Sequence, residues 1–282
     1  IAAHYDLGNE FFARFLDATM TYSCGIFESE TSTLAEAAMA KYDRICRKLD
    51  LKPEDHVVEI GTGWGGFARH AVQNYGCRVT TTTISNRQFT LAQERLREAG
   101  VTDRVELLQK DYRDLQGTYD KLVSIEMIEA VGHQYLDDFF QVCGRLLKDD
   151  GMMALQAITI GDHVFERHKY QVDFIKRYIF PGSCIPSITA MSRSVAKTTD
   201  LRLFHLEDIT PHYAVTLRLW RERFFSNIDA VRAMGYPESF VRMWDYYLSY
   251  CEAGFQERYI GDVQMIFTKP MGRQPPILPP LA

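Results

Sequence analysis

His56-Val57-Val58-Glu59-Ile60-Gly61-Thr62-Gly63-Trp64-Gly65-Gly66 is a short β-branched run that breaks into a glycine-rich turn. The next residues, FARHAVQNY, carry a helical pattern that stops at Gly76. Glycines in a turn between strand and helix let the backbone approach a ligand that side chains would strike, so a nucleotide is the natural guest. A plain tight turn is the other reading, and the segments around it decide against that.

Upstream, LAEAAMAKYDRICRKLD (34–50) spaces Leu34, Ala38, Ile45 and Leu49 as a helix does. Downstream, CRVTTTTI reads as a strand, and SNRQFTLAQERLREAG as a helix with a serine cap and a glycine end. RVELLQKD and YDKLVSIE follow as strands, HQYLDDFFQVCGRLLKDDG as a helix and MMALQAIT as a strand. Strands alternating with helices imply a parallel sheet covered on both faces, an α/β fold. From Thr159 the rhythm breaks into an aromatic-rich stretch containing DFIKRYIFPGSCIPS, too apolar for a simple connection and read as a lid or substrate-side insertion. After LRLFHLEDI come two helical patterns, HYAVTLRLWRERFFSNIDAVRAMG and ESFVRMWDYYLSYCEAGF. The strand-like YIGDVQMIFTK and a proline-rich tail close the chain.

Bulk properties bound the function. With 282 residues and 46% hydrophobic content there is ample material for a core, and a net charge of −5 gives no general grip on nucleic acid or anionic membrane. Cys24, Cys46, Cys77, Cys143, Cys184 and Cys251 form no C-x-x-C pair and no zinc spacing, so they read as reduced thiols of a cytoplasmic protein, with no metal expected. No window reaches the ~18–20 apolar residues of a spanning helix. The opening IAAHYDLGNEFF lacks an initiator Met, and a longer native chain is expected. His4, His133 and His212 read as structural or capping residues.

Glu59, just before the first glycine, tilts the choice of ligand. A carboxylate there repels a pyrophosphate but accepts hydrogen bonds from the ammonium of a methionine moiety, which favours S-adenosylmethionine over a dinucleotide. Gly61, Gly63 and Trp64 belong to the same turn. The second strand ends Thr82-Thr83-Ile84-Ser85, with Gln88 one turn into the helix, where an acidic residue usually holds the ribose. Neutral hydroxyl and amide groups must serve there instead. Asp111 and Tyr112 fit adenine, as an acceptor beside an aromatic face, although Asp111 reads equally well as a loop or cap carboxylate.

Taken together, Tyr22-Ser23-Cys24, the GTGWGG turn, TTTISNRQ, DYRDL, EMIEAVG, YIFPG and PHYAVTLRLW closely resemble the cyclopropane fatty-acid synthase family over nearly the whole chain. The resemblance implies a class I methyltransferase, Rossmann-like. Its seven-stranded, mostly parallel sheet has helices on both faces, an antiparallel carboxyl-terminal strand and helical insertions on the substrate side. It implies one catalytic domain over 1–282, with a helical cover over 1–50, a lid over 159–200 and a further amino-terminal region outside this chain. It places Tyr22, Ser23, Gly61, Gly63, Thr83, Gln88, Tyr112, Arg113 and Ile125 around the cofactor. Cys24, Glu129, Tyr213 and the Ile158 backbone border a bicarbonate beside the reacting carbons.

The implied reaction is intelligible on its own terms. An alkene can attack a sulfonium methyl directly, giving a carbocation that aromatic faces and carboxylates stabilise. Ring closure then needs a base for a proton of the transferred methyl. The resemblance also shows departures. Gln156 stands where a bicarbonate-touching histidine is common, Ala130 where another histidine is common, and Glu126 where glycine is common. Two readings of Glu126 follow: its carboxylate replaces bicarbonate wholly or partly as base or cation stabiliser, or it lies partly exposed near the cofactor ribose. Plant-like branches of the family share EMIEAVG and form cyclopropanes, so a ring is the expected product, with methylene- or methyl-branched chains as the alternative. A small-molecule N- or C-methyltransferase is the alternative from a different class. The partners expected are unsaturated phospholipid acyl chains at a membrane surface, reached transiently from the cytoplasm, with Lys176, Arg177, Tyr178, Ile179 and Phe180 composed for an interface. No nucleic-acid partner is expected, and a homodimer is the assembly that the resemblance leaves open.

Overall fold

The structure is a computed structural model that describes residues 7–277; His4 lies outside the described residues. Its centre is a sheet of β1 (His56–Ile60), β2 (Arg78–Thr82), β3 (Val105–Leu108), β4 (Tyr119–Ile125), β5 (Leu147–Ile160), β6 (Arg202–Asp208) and β7 (Ile260–Thr268). The strand order is β3-β2-β1-β4-β5-β7-β6. β1 to β5 pair in parallel, and β7 lies antiparallel between β5 and β6. The order reverses beside β1, so the crevice beyond the carboxyl ends of β1 and β4 is where such sheets bind ligands.

Local chemistry explains the helix ends. α1 spans Asn9–Phe15, and α2 spans Leu34–Lys48. α2 starts on a reciprocal cap in which Thr33 and Glu36 each bond the other's backbone N–H. α3 (Gly66–Tyr75) ends on left-handed Gly76, and α4 (Asn86–Glu98) is capped by Ser85. α5 (Leu136–Leu146) and α2 to α4 cover the two faces of the sheet, burying Phe139, Phe140 and Leu146 in one cluster and Ile45, Phe67 and Leu96 in another. The strand read from Met152 begins earlier, at Leu147.

The rest forms a roof. α8 (Thr210–Ser226), α9 (Ile228–Ala233) and α10 (Glu238–Gln256) pack with α1. The single helical pattern of 212–235 divides at Asn227, whose side-chain amide donates to the Arg14 and Arg223 carbonyls. Phe11, Phe12, Phe15, Trp220, Phe224 and Trp244 are buried together, with Phe11 edge-on to Trp244 at a centroid distance of 4.8 Å. Fully burying one such ring stabilises by roughly 1.5–3 kcal/mol, so the amino-terminal cover is held by its aromatics.

The insertion over 159–200 has two characters. α6 (Asp162–His168) buries Phe165 and His168, and the π-helical turn Ile175–Ile179 buries Ile179 among the aromatics of the roof. α7 (Ile188–Thr198) instead buries Met191 and Val195 in the core beside Phe140, so that part is scaffold rather than lid. All six cysteines are free thiols. No helix among the described residues is long and apolar enough to cross a membrane, and no group of three metal-binding side chains occurs among them. The Nδ1 of His212 accepts the Phe27 N–H at 3.2 Å, a structural role that ties the amino-terminal cover to α8.

Candidate active site

At the turn after β1, Gly61 and Gly63 adopt φ of +104° and +53°, backbone that favours glycine. A Cβ on Gly63 would project into open space, whereas one on Gly61 would lie 3.2 Å from Met127 Cγ. The open side of Gly63 is the room that a ligand's chain needs. Glu59 is buried, and its Oε2 accepts the Thr81 hydroxyl at 2.6 Å. Burial pushes the Glu59 carboxyl up to about 8. Trp64 Nε1 donates to Asn9 Oδ1 at 2.8 Å, tying the turn to α1.

Neutral groups do line the end of β2. Thr83 Oγ1 donates to Gln88 Oε1 at 2.9 Å, which fixes the rotation of the Gln88 amide. Beside them Ile84 is 61% exposed, an apolar side chain at the sheet's carboxyl edge that sequence reading passed over. Asp111 behaves as a cap: Oδ1 accepts the N–H and Nε of Arg113, and Oδ2 accepts Nη2 at 2.7 Å. That pair is satisfied within its own turn, with Arg113 exposed, so the carboxylate is less available to an adenine than the sequence indicates. Tyr112 and Ile125 are half-buried at the same edge.

The second half of the site gathers residues from across the chain. Glu126 follows β4 with φ +47°, a left-handed backbone that favours glycine and costs a residue with a Cβ roughly 1–2 kcal/mol. Its N–H continues the ladder to the Gln156 carbonyl at 2.8 Å. Its Oε1 accepts the Cys24 N–H and the Gln156 Nε2, both at 2.8 Å, and its Oε2 accepts the Tyr213 hydroxyl at 2.5 Å. Three donors on one carboxylate make a built anion site.

Cys24 contributes its backbone; the thiol points to the Gly25 carbonyl, and burial raises its pKa well above the usual value, which leaves it a neutral thiol. Burial also raises Tyr213 well above an ordinary phenol, keeping its proton available for donation. Glu129 is buried; its Oε1 accepts the Ile158 N–H at 2.6 Å, while its Oε2 has no partner among the described residues. The Ile158 N–H is therefore committed to Glu129. Burial, then the neighbouring Glu126 charge, push Glu129 up to about 8.

Four members were not legible beforehand. Asp262 on β7 is fully buried, with Oδ2 accepting Gln156 Nε2 at 3.2 Å and Oδ1 unpartnered. Burial, then the neighbouring Glu126 charge, raise its pKa well above the usual range. Lys41 on α2 is fully buried and donates to Ser23 Oγ at 2.6 Å. Its pKa is lowered by burial and supported most by the Glu126 charge, which makes it the cation of an otherwise acidic cluster. Gln264 and Lys48 continue the network behind Gln156. The available signal for Asp262 and Gln264 was their alternate spacing in YIGDVQMIFTK, which puts both on one strand face.

The strand order, the glycine turn at the switch point and this polar pocket define a class I S-adenosylmethionine-dependent methyltransferase. The model of the mycolic acid cyclopropane synthetase family matches residues 1–265. Tuberculostearic acid methyltransferase UfaA1 of Mycobacterium tuberculosis is 42% identical over 271 residues, which cover 94% of this chain and 63% of that protein. The cyclopropane-fatty-acyl-phospholipid synthase of Escherichia coli is 40% identical over 270 residues, covering 94% of this chain and 66% of that protein. The chain thus spans about two thirds of the length of these two relatives. The structure of mycolic acid cyclopropane synthase CmaA1 complexed with SAH and CTAB superposes with a TM-score of 0.88 at 33% identity, covering 95% of this chain and 97% of that one. This chain belongs to the mycolic acid cyclopropane synthetase family, in which S-adenosylmethionine is the methyl donor.

Proposed function

We propose that this protein adds the methyl group of S-adenosylmethionine to the cis double bond of an unsaturated phospholipid acyl chain and closes a cyclopropane ring. The observation that carries this reading is the Glu126 carboxylate, held by the Cys24 N–H, Gln156 and Tyr213 beside the unpartnered Glu129 Oε2. The cofactor, when bound against Gly61, Gly63, Glu59, Thr83 and Gln88, supplies a sulfonium methyl.

The residues do the remainder. Alkene attack leaves a cation on the acyl chain, and the Glu126 charge with the Tyr22 and Tyr213 rings stabilises it. The Glu126 carboxylate takes a proton from the new methyl, and the freed C–H pair forms the third ring bond. In this reading Glu126 stands in for bicarbonate, with Gln156 in place of a bicarbonate-touching histidine. Cys24, Tyr213 and Gln156 hold it, and Glu129, largely neutral near pH 7, stands ready as a donor.

A methylene- or methyl-branched product is the second reading, favoured by the 42% identity to a tuberculostearic acid methyltransferase. A hydride shift along the chain before the methyl loses its proton gives the methylene branch; a methyl branch needs in addition a separate two-electron reduction by a hydride donor. Support for lipid over a small molecule comes from the lid side, where Tyr170, Val172 and Tyr178 are 73%, 74% and 55% exposed with Lys169 and Arg177 over the tyrosine rings. Such a composition suits transient docking at a membrane surface. Incubation with labelled S-adenosylmethionine and vesicles of mono-unsaturated phospholipid tests the proposal. Label in the acyl chain supports it, and S-adenosylhomocysteine release only with small amines would overturn it.

A further inference from the structure

Gln156 can help to hold an anion only if its NH2 end faces Glu126; turned by half a rotation, its carbonyl would meet the carboxylate and repel it. The Glu126 carboxylate and the Cys24 carbonyl, which only accept, favour the NH2 end on one side of the amide. A second set of contacts, farther back, enforces the same orientation from the oxygen side. Lys48 Nζ donates to Gln264 Oε1 at 2.7 Å, and an ammonium can only donate, so the carbonyl of Gln264 must face it. Gln264 therefore presents Nε2 to Gln156, donating to Oε1 at 3.1 Å. With its oxygen so occupied, Gln156 presents Nε2 to Glu126 at 2.8 Å, with Asp262 at 3.2 Å and the Cys24 carbonyl at 3.4 Å.

The chain is sealed from solvent: Lys48, Gln264 and Gln156 are 7%, 1% and 1% exposed. Water is thus not at hand to satisfy a flipped amide, and each reversal would leave buried groups facing their like. Burial lowers the Lys48 pKa, and Glu207 on β6, whose Oε2 lies 2.5 Å away and which also pairs with Arg44, opposes that shift. A buried lysine paired with a partly exposed carboxylate on β6 thereby reinforces the polarity of an amide in the candidate active site.

Resting on the reading of Glu126 given above, we propose that Lys48 and Gln264 are positioning residues for methyl transfer, fixing the Gln156 amide with its NH2 toward Glu126. The role is orientation: neither residue touches the substrate. It differs from simple structural support in predicting which substitution does most harm. Gln264→Glu is isosteric and keeps the contact with Lys48, but its carboxylate can only accept. It therefore draws the Gln156 NH2 toward itself and turns the Gln156 carbonyl onto Glu126. Lys48→Met removes the enforcing donor and leaves Gln264 free to turn, which weakens the hold on Gln156, while Lys48→Arg restores a donor.

The test uses the purified chain with vesicles of mono-unsaturated phospholipid, reading kcat and KM for S-adenosylmethionine. In glutamine-labelled protein it also reads the Gln156 side-chain NH2 resonance, identified by its loss in Gln156→Leu. Gln264→Glu lowers kcat by at least about tenfold with KM for the cofactor unchanged, as expected when a hydrogen bond to reacting charge is lost. Lys48→Met falls between it and the parent, Lys48→Arg recovers activity relative to Lys48→Met, and the Gln156 resonance moves in both Gln264→Glu and Lys48→Met. An unmoved resonance in those two variants, or a kcat for Gln264→Glu equal to the parent's, overturns the proposal. A fully active Glu126→Gln with the resonance still responding to Lys48 would instead refute Glu126 as the base, so the two failures are separable.

Discussion

Replacing Glu126 by glycine separates its charge from the donors that hold it. The carboxylate sits among the Cys24 N–H, the Gln156 NH2 and the Tyr213 hydroxyl, all of which remain when the side chain is removed. For an effective dielectric of about 20 and a separation of about 5 Å from the developing cation, the lost attraction is roughly 3 kcal/mol. That corresponds to about a 200-fold fall in kcat. Removal also relieves the left-handed backbone at φ +47°, a gain of roughly 1–2 kcal/mol that is outweighed by three buried donors left without an acceptor, at roughly 1–3 kcal/mol each. The vacated space is a ready anion site, so bicarbonate restores turnover to Glu126→Gly. It does not restore Glu126→Gln, whose amide fills the space without charge. Initial rates of S-adenosylhomocysteine release over a bicarbonate series, with cofactor affinity measured separately, provide the assay. Full activity of Glu126→Gly in bicarbonate-free buffer, or no rescue although cofactor affinity is intact, refutes the reasoning.

Three further outcomes follow from the same geometry. Glu129 and Glu59 are each pushed up to about 8 from an ordinary value near 4.5, so the folded state binds more protons than the unfolded one between those limits. Stability is therefore greatest at the acid end and declines as pH rises from about 5 to 8; thermal melting measures it, and Glu129→Gln should flatten the slope. Lys41→Met removes the buried cation whose charge opposes the carboxylates of Glu126 and Asp262, so kcat should fall by about tenfold in a steady-state assay with cofactor affinity retained; an unchanged kcat would mean that Lys41 only fills space. Gly66→Ala would set a Cβ 2.6 Å from Tyr42 Oη and 3.2 Å from Cζ, against a buried ring bonded to Thr21, at a cost of about 1–3 kcal/mol that calorimetry would register as a lower Tm.

Sheet and turn were legible because they are local. HVVEI is β1 residue for residue, the β-branched run after Gly76 marks β2, and the Ser85 cap with the glycine at the far end marks α4. Non-local packing escaped. The division at Asn227 rests on a bond to Arg14, and the burial of Met191 and Val195 rests on α5, neither of which leaves a periodic trace. The site shows the same split. Cys24, Glu126, Glu129 and Tyr213 could be named through resemblance, and the departures at Glu126 and Gln156 pointed to the place where the pocket differs. What the resemblance did not carry is the polarity behind them. Lys41 and Lys48 look like solvated charges on an amphipathic helix, and Asp262 and Gln264 like ordinary strand residues, until β5, β7 and α2 close around them. The positive φ of Glu126 was likewise visible only as a glycine preference among relatives.

The central claim, that an acyl-chain alkene is methylated and closed to a ring, is tested most directly with 13C-methyl S-adenosylmethionine and mono-unsaturated phospholipid vesicles, followed by carbon NMR of the extracted lipid. The account predicts that the label appears as a cyclopropane methylene carbon, in the upfield region, bonded to two chain carbons. Label in an exocyclic alkene carbon or a methyl branch would contradict ring closure, and no label in the lipid would contradict the account as a whole.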